Sequence, residues 1–238
     1  MARVLAALTL AFVALGAVAV VPSPRPVAAA EPEYVPGIDV SHWQGKIDWE
    51  AVAGDGIRFA FAKATEGRDF VDDMYKTNRA GAKAAGITFG AYHFARPNTG
   101  RKDPRREAGH FVRVAGLTRG DLVPALDLER TGGLSQSQLI DWTRRWVRKV
   151  ERLVGEKPVI YTSPYFWRTN MANTTWFADH GYGVWVARWD TEVRVPASTW
   201  GGEDWTFWQH TDCGSVDGIG GCVDLDRFNG RRLRSVSL

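Results

Sequence analysis

Two acidic side chains interrupt a hydrophobic segment in the middle of the chain. Residues 122–129 predict a β-strand, and within it Asp127 and Glu129 stand two positions apart. Because side chains alternate along a strand, both carboxylates project from one face, with Cα atoms about 6–7 Å apart, while Leu126 and Leu128 face the other way. Two close acids in apolar surroundings raise the pKa of one of them, which predicts general acid–base chemistry. The alternative is that these acids end the strand and cap the next helix.

Two further acids lie in apolar segments at opposite ends of the chain. Asp39 lies in residues 37–41 and faces the same way as Ser41, and Asp224 lies in residues 223–226. In a closed barrel the first and last strands are neighbours, so we expect Asp39 and Asp224 to join the acids of the middle strand at one mouth. For Asp39 alone, the alternative is a hydrogen-bonded cap at a strand end.

Aromatic residues are abundant, and eleven of them are Trp. Most will pack in the core. Four aromatic residues flank predicted strand ends: Tyr92, Tyr161, Trp185 and Trp189. For these four, the alternative to core packing is stacking on sugar rings. His93 and His210 are interpreted as structural histidines, and Glu66 as an acid that fixes a loop.

Short β-rich segments alternate with helical segments after residue 36, which is typical of parallel strands joined by crossover helices. The predicted strands are residues 37–40, 58–64, 88–94, 122–129, 158–162, 184–189, 206–210 and 223–225. The predicted helices are residues 49–53, 74–85, 104–114 and 136–154. About five β/α units followed by three strands predict an α/β fold, an irregular TIM-like barrel. The alternative is a doubly wound open sheet, for which the sequence lacks a glycine-rich phosphate loop.

The beginning of the chain has the pattern of an export signal. Arg3 precedes an apolar run over residues 4–21, prolines follow at positions 22, 24 and 26, and residues 28–30 form an A-x-A cleavage site. A membrane anchor is the alternative, because 18 apolar residues are at the edge of spanning length. We predict a secretion signal peptide at residues 1–30, a single domain at residues 31–238, and a secreted protein without a stable membrane anchor.

Charge and cysteine content narrow the classes of partner. Without residues 1–30, 28 Lys and Arg stand against 27 Asp and Glu, and such a near-neutral chain argues against a nucleic-acid partner.

Cys213 and Cys222 are the two cysteines, and in an oxidising compartment they are predicted to form a disulfide. A metal-binding cysteine pair is the alternative, but metal ligands are not spaced around it, and no H-E-x-x-H pattern occurs. We predict no metal and no cofactor.

Six short motifs occur together in one order. They occupy residues 37–41, 63–67, 90–94, 127–129, 208–209 and 223–228. Together they resemble glycoside hydrolase family 25, the Chalaropsis-type lysozymes, and the resemblance runs from about Tyr34 to Gly230. It implies a barrel of five β/α units and three further strands. It also implies cleavage of the β-1,4 bond between N-acetylmuramic acid and N-acetylglucosamine.

The same resemblance implies roles for the acids. Glu129 corresponds to the general acid, and Asp39, Asp127 and Asp224 lie around it. Asp226 departs from the pattern, because Asn is expected there, and it adds a further acid near Asp224. Two mechanisms stay open: attack by the substrate's own acetamido group, held by Asp127, or inversion through a water activated by Asp39 or Asp224.

The implied partner is the glycan strand of peptidoglycan, bound by a monomer in the extracellular environment of the bacterial cell wall. The nearest enzymatic alternative is a chitinase or N-acetylglucosaminidase. A different class is a non-catalytic barrel that binds cell-wall glycan. The four acids argue against that class, because a lectin has no use for a protonatable acid in an apolar mouth.

Overall fold

The computed structural model describes residues 34–189, 192–193, 200 and 205–238. The predicted signal peptide at residues 1–30 lies outside the described residues. Within the described ranges, none of the helices combines the length and the apolar character needed to cross a lipid bilayer.

Strands of the described residues form one sheet that closes into a barrel. In chain order they are β1 Val35–Val40, β2 Phe59–Glu66, β3 Phe70–Val71, β4 Thr88–Phe94, β5 Ala125–Asp127, β6 Val159–Thr162, β7 Val184–Ala187, β8 Phe207–Gly214 and β9 Val223–Phe228. β1 pairs with both β2 and β9, which closes an eight-stranded ring in the order β1-β9-β8-β7-β6-β5-β4-β2. Only β9 is antiparallel to its ring neighbours, and β3 pairs with β2 outside the ring. The predicted α/β barrel is confirmed.

Helices follow each of the first five strands of the ring. They are α1 Trp49–Gly54, α2 Tyr75–Ala84, α3 Asp103–Ala115, α4 Gln136–Val154, and then α5 Pro164–Asn170 and α6 Trp176–Asp179 after β6. Between β7 and β9 the described residues contain no α-helix. This is the predicted succession of five β/α units and three strands. α5 and α6 were not predicted, because seven and four residues are too few to show a periodic apolar face.

The longest helix, α4, has strong signals at both ends. Ser135 is its N-cap: the hydroxyl accepts from the Gln138 N–H, while the Gln138 side chain accepts from the Ser135 N–H. Gly155 ends the helix in the left-handed conformation, with φ 92°. The apolar face includes Trp142 and Trp146, which are buried against the outside of the barrel.

The strand that carries the central acids is shorter than the predicted 122–129. Pro124 has no N–H to donate, and the Val123 N–H bonds to Val236 O near the C-terminus rather than to a neighbouring strand. Regular pairing therefore spans only Ala125–Asp127.

Aromatic rings fill the barrel below the ends of the parallel strands. Phe61 stacks on Trp185 at 4.6 Å between ring centroids and meets Phe207 edge-on at 5.1 Å. Glycine is required at position 37, because a Cβ there would lie 2.3 Å from the Phe59 ring. This packing makes an apolar floor under the mouth of the barrel.

The antiparallel pair β8–β9 completes the ring. Cys213 in β8 and Cys222 just before β9 form the predicted disulfide. Because β9 runs against its neighbours, its beginning lies at the same end of the barrel as the ends of the parallel strands, and Asp224 is placed opposite Asp39.

Candidate active site

A cavity of about 230 Å³ opens at the end of the barrel where the parallel strands terminate. The four acids singled out in the sequence all line it: Asp39, Asp127, Glu129 and Asp224. This is the end at which β/α barrels carry their functional groups. The expected convergence of acids from remote parts of the chain is therefore present.

The register of the strands explains this convergence. Asp39 and Asp224 are direct partners in the antiparallel β1–β9 ladder, so their side chains leave the same face. Leu126 on β5 and Leu128 just after it are fully buried outside the ring, which leaves Asp127 to point inward with Glu129 beyond the strand end.

Asp39 is held in place by an amide from β8. It is 7 % exposed, and Gln209 Nε2 donates to its Oδ2 at 2.7 Å. Burial raises the pKa of Asp39 well above its usual value, and the charge of Asp226 raises it further, against the Gln209 hydrogen bond. The site therefore favours the protonated form of this acid.

Asp127 is buried, while Glu129 lies at the mouth, where its side chain meets solvent. Burial raises the pKa of Asp127 well above its usual value, and the charges of Glu129 and Asp39 add to the effect. Partial burial also raises the pKa of Glu129, against the positive charge of Arg130. Asp127 Oδ1 has no hydrogen-bond partner among the described residues. The pair thus retains protons to a higher pH than isolated acids and keeps one unused acceptor.

Asp224 and Asp226 form a second pair of acids on β9. Burial, and then the charge of Asp39, raise the pKa of Asp224 to about 8. Asp226 lies deeper, is 1 % exposed and accepts from Trp185 Nε1 at 2.8 Å. Burial raises its pKa well above the usual range, although the Trp185 hydrogen bond lowers it.

The four aromatics proposed for sugar stacking all lie around the mouth, but they differ in access. Trp185 is 2 % exposed, and Tyr161 is buried with its hydroxyl donating to Gln209 Oε1 at 2.8 Å. Tyr92 is half-buried, and burial raises the pKa of its hydroxyl well above the usual value. Trp189 is 59 % exposed, and its Nε1 donates to the same Gln209 oxygen at 3.0 Å. Stacking on a sugar stays a prediction for all four.

Trp43 and Gln209 also line this cavity and were not among the site residues predicted from the sequence. Trp43 is 82 % exposed in the 3₁₀ helix His42–Gln44, at the rim. A sequence signal existed: Ser41 and Gln44 form a capping box, which marks the turn that presents Trp43. Gln209 lay inside a quoted motif, but its partners depend on strands far apart in the sequence.

Other polar groups near the mouth have structural partners. Glu66 pairs with Lys63 and Arg96, which agrees with a loop-fixing role. His93 is fully buried between Thr65 and Glu107, and burial lowers its pKa to about 3. In the described part of the chain, no three His, Cys, Asp or Glu side chains are arranged to hold a metal ion.

Residues 38–219 match the model of a family described as Glycosyl hydrolases family 25. Among curated proteins, the chain is 37% identical over 226 residues to Lysozyme M1 of Streptomyces globisporus, covering 91% of this chain and 75% of that protein. It is 32% identical over 232 residues to the N,O-diacetylmuramidase of Arthroderma benhamiae, covering 94% of each. Among solved structures, the bacterial lysozyme from Streptomyces coelicolor is similar with a TM-score of 0.79 at 37% identity, covering 85% of this chain and 96% of the other.

Proposed function

Because this chain belongs to glycosyl hydrolases family 25, we propose that it is a lysozyme that hydrolyses the β-1,4 bond between N-acetylmuramic acid and N-acetylglucosamine in peptidoglycan. The observation that carries this proposal is the gathering of four carboxyl groups with raised pKa values in one barrel mouth. Glycoside cleavage needs such groups, since one must protonate the leaving oxygen and others must stabilise a positively charged anomeric carbon.

Glu129 is the proton donor in this proposal. It lies just past the end of β5, at the mouth, where a bound glycan reaches it. Its raised pKa keeps the proton available, and the charge of Arg130 limits the increase so that the proton is still transferable.

Asp127 positions the substrate's acetamido group. Its Oδ1 is buried and accepts no hydrogen bond from the described residues, so it is free to accept the N–H of the acetamide. Held in that way, the acetamido oxygen attacks its own anomeric carbon while Glu129 protonates the leaving group. Asp39 and Asp224 then tune the charge of the site.

Inversion is the rival mechanism, with Asp39 or Asp224 activating a water on the opposite face of the sugar. NMR of the first product separates the two mechanisms. The retained anomer is expected with acetamido assistance, and release of the inverted anomer would overturn that assignment.

Two assays test the function itself. A suspension of bacterial cell walls should lose turbidity with the enzyme, which a non-catalytic glycan-binding barrel cannot cause. Mass spectrometry should find muramic acid at the new reducing ends. Reducing-end N-acetylglucosamine alone would instead indicate the chitinase or N-acetylglucosaminidase alternative.

The place of action follows from the substrate. We propose that residues 1–30 direct export, and that residues 31–238 act as a monomeric single domain outside the cell without a membrane anchor. The Cys213–Cys222 disulfide supports an oxidising location. N-terminal sequencing and light scattering of the protein from culture medium test cleavage and oligomeric state.

A further inference from the structure

A second cavity, of about 740 Å³, adjoins the acidic mouth and shares the side chains of Trp43, Lys63 and Phe94 with it. We name this second cavity the cationic arm, after the positively charged residues that line it, which are Lys63, Arg68, Arg96 and Arg130. The two cavities make one continuous cleft whose charge changes from acidic to basic along its length.

The positive charge of the arm is only partly neutralised from within, because two acids, Glu66 and the exposed Asp69, line it together with four cations and the buried Glu107. Glu66 accepts from both Lys63, at 2.5 Å, and Arg96, at 2.6 Å, so one carboxylate serves two cations. These hydrogen bonds outweigh burial and lower the pKa of Glu66. The Arg68 side chain is 48% exposed, and its Nε lies 3.7 Å from the nearest Asp103 oxygen. Arg68 therefore keeps most of its capacity to bind an anion.

One acid in the wall of the arm is buried away from water. Glu107 is fully buried; its Oε2 is hydrogen-bonded to His93 Nε2 at 2.9 Å and accepts from the Arg96 N–H at 3.1 Å. Burial raises the pKa of Glu107 to about 8, so at neutral pH it is mostly a neutral acid. Glu107 therefore adds little negative charge to the arm at neutral pH.

We propose that the cationic arm binds the carboxylate groups carried on the lactyl side chain of muramic acid, while the sugar itself lies in the acidic mouth. This inference rests on the proposed function. The carboxylates have two sources: the lactyl carboxylate itself in a peptide-free strand, and the carboxylates of a stem peptide attached through it. Both sources present the carboxylate chemistry that arginine side chains recognise.

The arrangement orients the substrate by charge. Carboxylates on the strand are attracted to the positive charges of the arm, so one orientation of the glycan is favoured. Trp43, exposed at the junction, offers an apolar face between the two halves of the cleft.

The test compares Arg68→Gln with Arg113→Gln, which removes the same charge from an exposed position on α3 outside both cavities. Three soluble substrates are used: strands with stem peptides, peptide-free strands with free lactyl carboxylates, and peptide-free strands whose lactyl carboxylates are converted to methyl amides. We expect Arg68→Gln to raise KM about fivefold on at least one carboxylate-bearing substrate, with kcat little changed. The substrate that responds identifies the source of the carboxylate.

The methyl-amide strands should show no difference between Arg68→Gln and Arg113→Gln. Arg96→Gln provides a second variant of the arm and should repeat the pattern. An unchanged KM on both carboxylate-bearing substrates, or an equal rise on the methyl-amide strands, overturns the proposal. Failure of the wild-type enzyme to cut any of the three contradicts the proposed lysozyme function instead.

Discussion

Gln209 Nε2 donates a hydrogen bond of 2.7 Å to Asp39 Oδ2 and so joins residues 170 positions apart at the closure of the barrel. The Oε1 atom of the same Gln209 amide accepts hydrogen bonds from Tyr161 and Trp189. Gln209 is 3 % exposed, so these bonds form where water does not compete. One side chain thus sets the orientation of an acid and of two aromatic residues at the mouth.

Gln209→Leu removes all three bonds and leaves buried polar atoms unpaired. We expect a loss of about 1–3 kcal/mol in the free energy of unfolding, the usual cost of an unsatisfied buried group. We also expect kcat to fall, because Asp39 loses its fixed orientation. Denaturant unfolding and wall-hydrolysis kinetics measure the two effects. Gln136→Leu, at an exposed position on α4, is the matched control; equal results for both variants would contradict the role of Gln209.

Glu129→Gln removes the transferable proton and changes the shape of the site little. We expect kcat to fall by about 10²- to 10⁴-fold, the range for general acid catalysis, with unfolding and glycan binding unchanged. Turbidity assays, calorimetric binding and thermal unfolding provide the three measurements. Glu156→Gln, at an exposed position, should keep full activity. Turnover like that of the wild type in Glu129→Gln would mean that the acid lies elsewhere.

Asp226→Asn tests the acid that departs from the family pattern. After burial, the charge of Asp226 is the largest cause of the raised pKa of Asp39, so its removal should lower that pKa. The limb of the pH profile of kcat/KM that reports Asp39 should move to lower pH. Asn still accepts from Trp185, so activity should persist. A profile identical to that of the wild type, as expected for the exposed control Asp73→Asn, would show that the two acids are not coupled.

Asp224 should make the fold less stable as pH rises. Its folded-state pKa of about 8 is higher than the value in an unfolded chain, about 4, so the native state binds more protons between these values. Its contribution to stability is complete below about pH 4 and is lost progressively up to about pH 8. We expect the free energy of unfolding of Asp224→Asn to exceed that of the wild type at pH 8. The difference between the two proteins should be smaller at pH 5. A difference that is constant with pH would contradict this assignment.

Much of the fold was predictable, because it depends on local patterns. Hydrophobic segments of strand length alternate with amphipathic helices, and this alternation predicted about five β/α units, with four of their helices located, and three final strands. The failures were local as well. α5 and α6 are too short to show a period, and Pro124 shortens the strand that carries Asp127.

The acids of the candidate site were predictable, because each is a polar residue within an otherwise apolar strand segment. Asp127 and Glu129 shared a face by alternation, and Asp39 and Asp224 interrupted apolar segments. Gln209 and the cationic arm gave no comparable signal. Arginine and glutamine in loops or at strand ends are ordinary surface residues until their neighbours are known.

The sequence by itself determined which carboxyl groups face inward and that they lie above an apolar floor, because a side chain's face depends only on its position along its own strand. Only the tertiary structure decided that Asp39 stands opposite Asp224, that Gln209 reaches Asp39, and that the acidic mouth continues into a basic arm. These relationships depend on the register between strands and on closure of the ring, where a shift of one residue would turn each side chain to the other face.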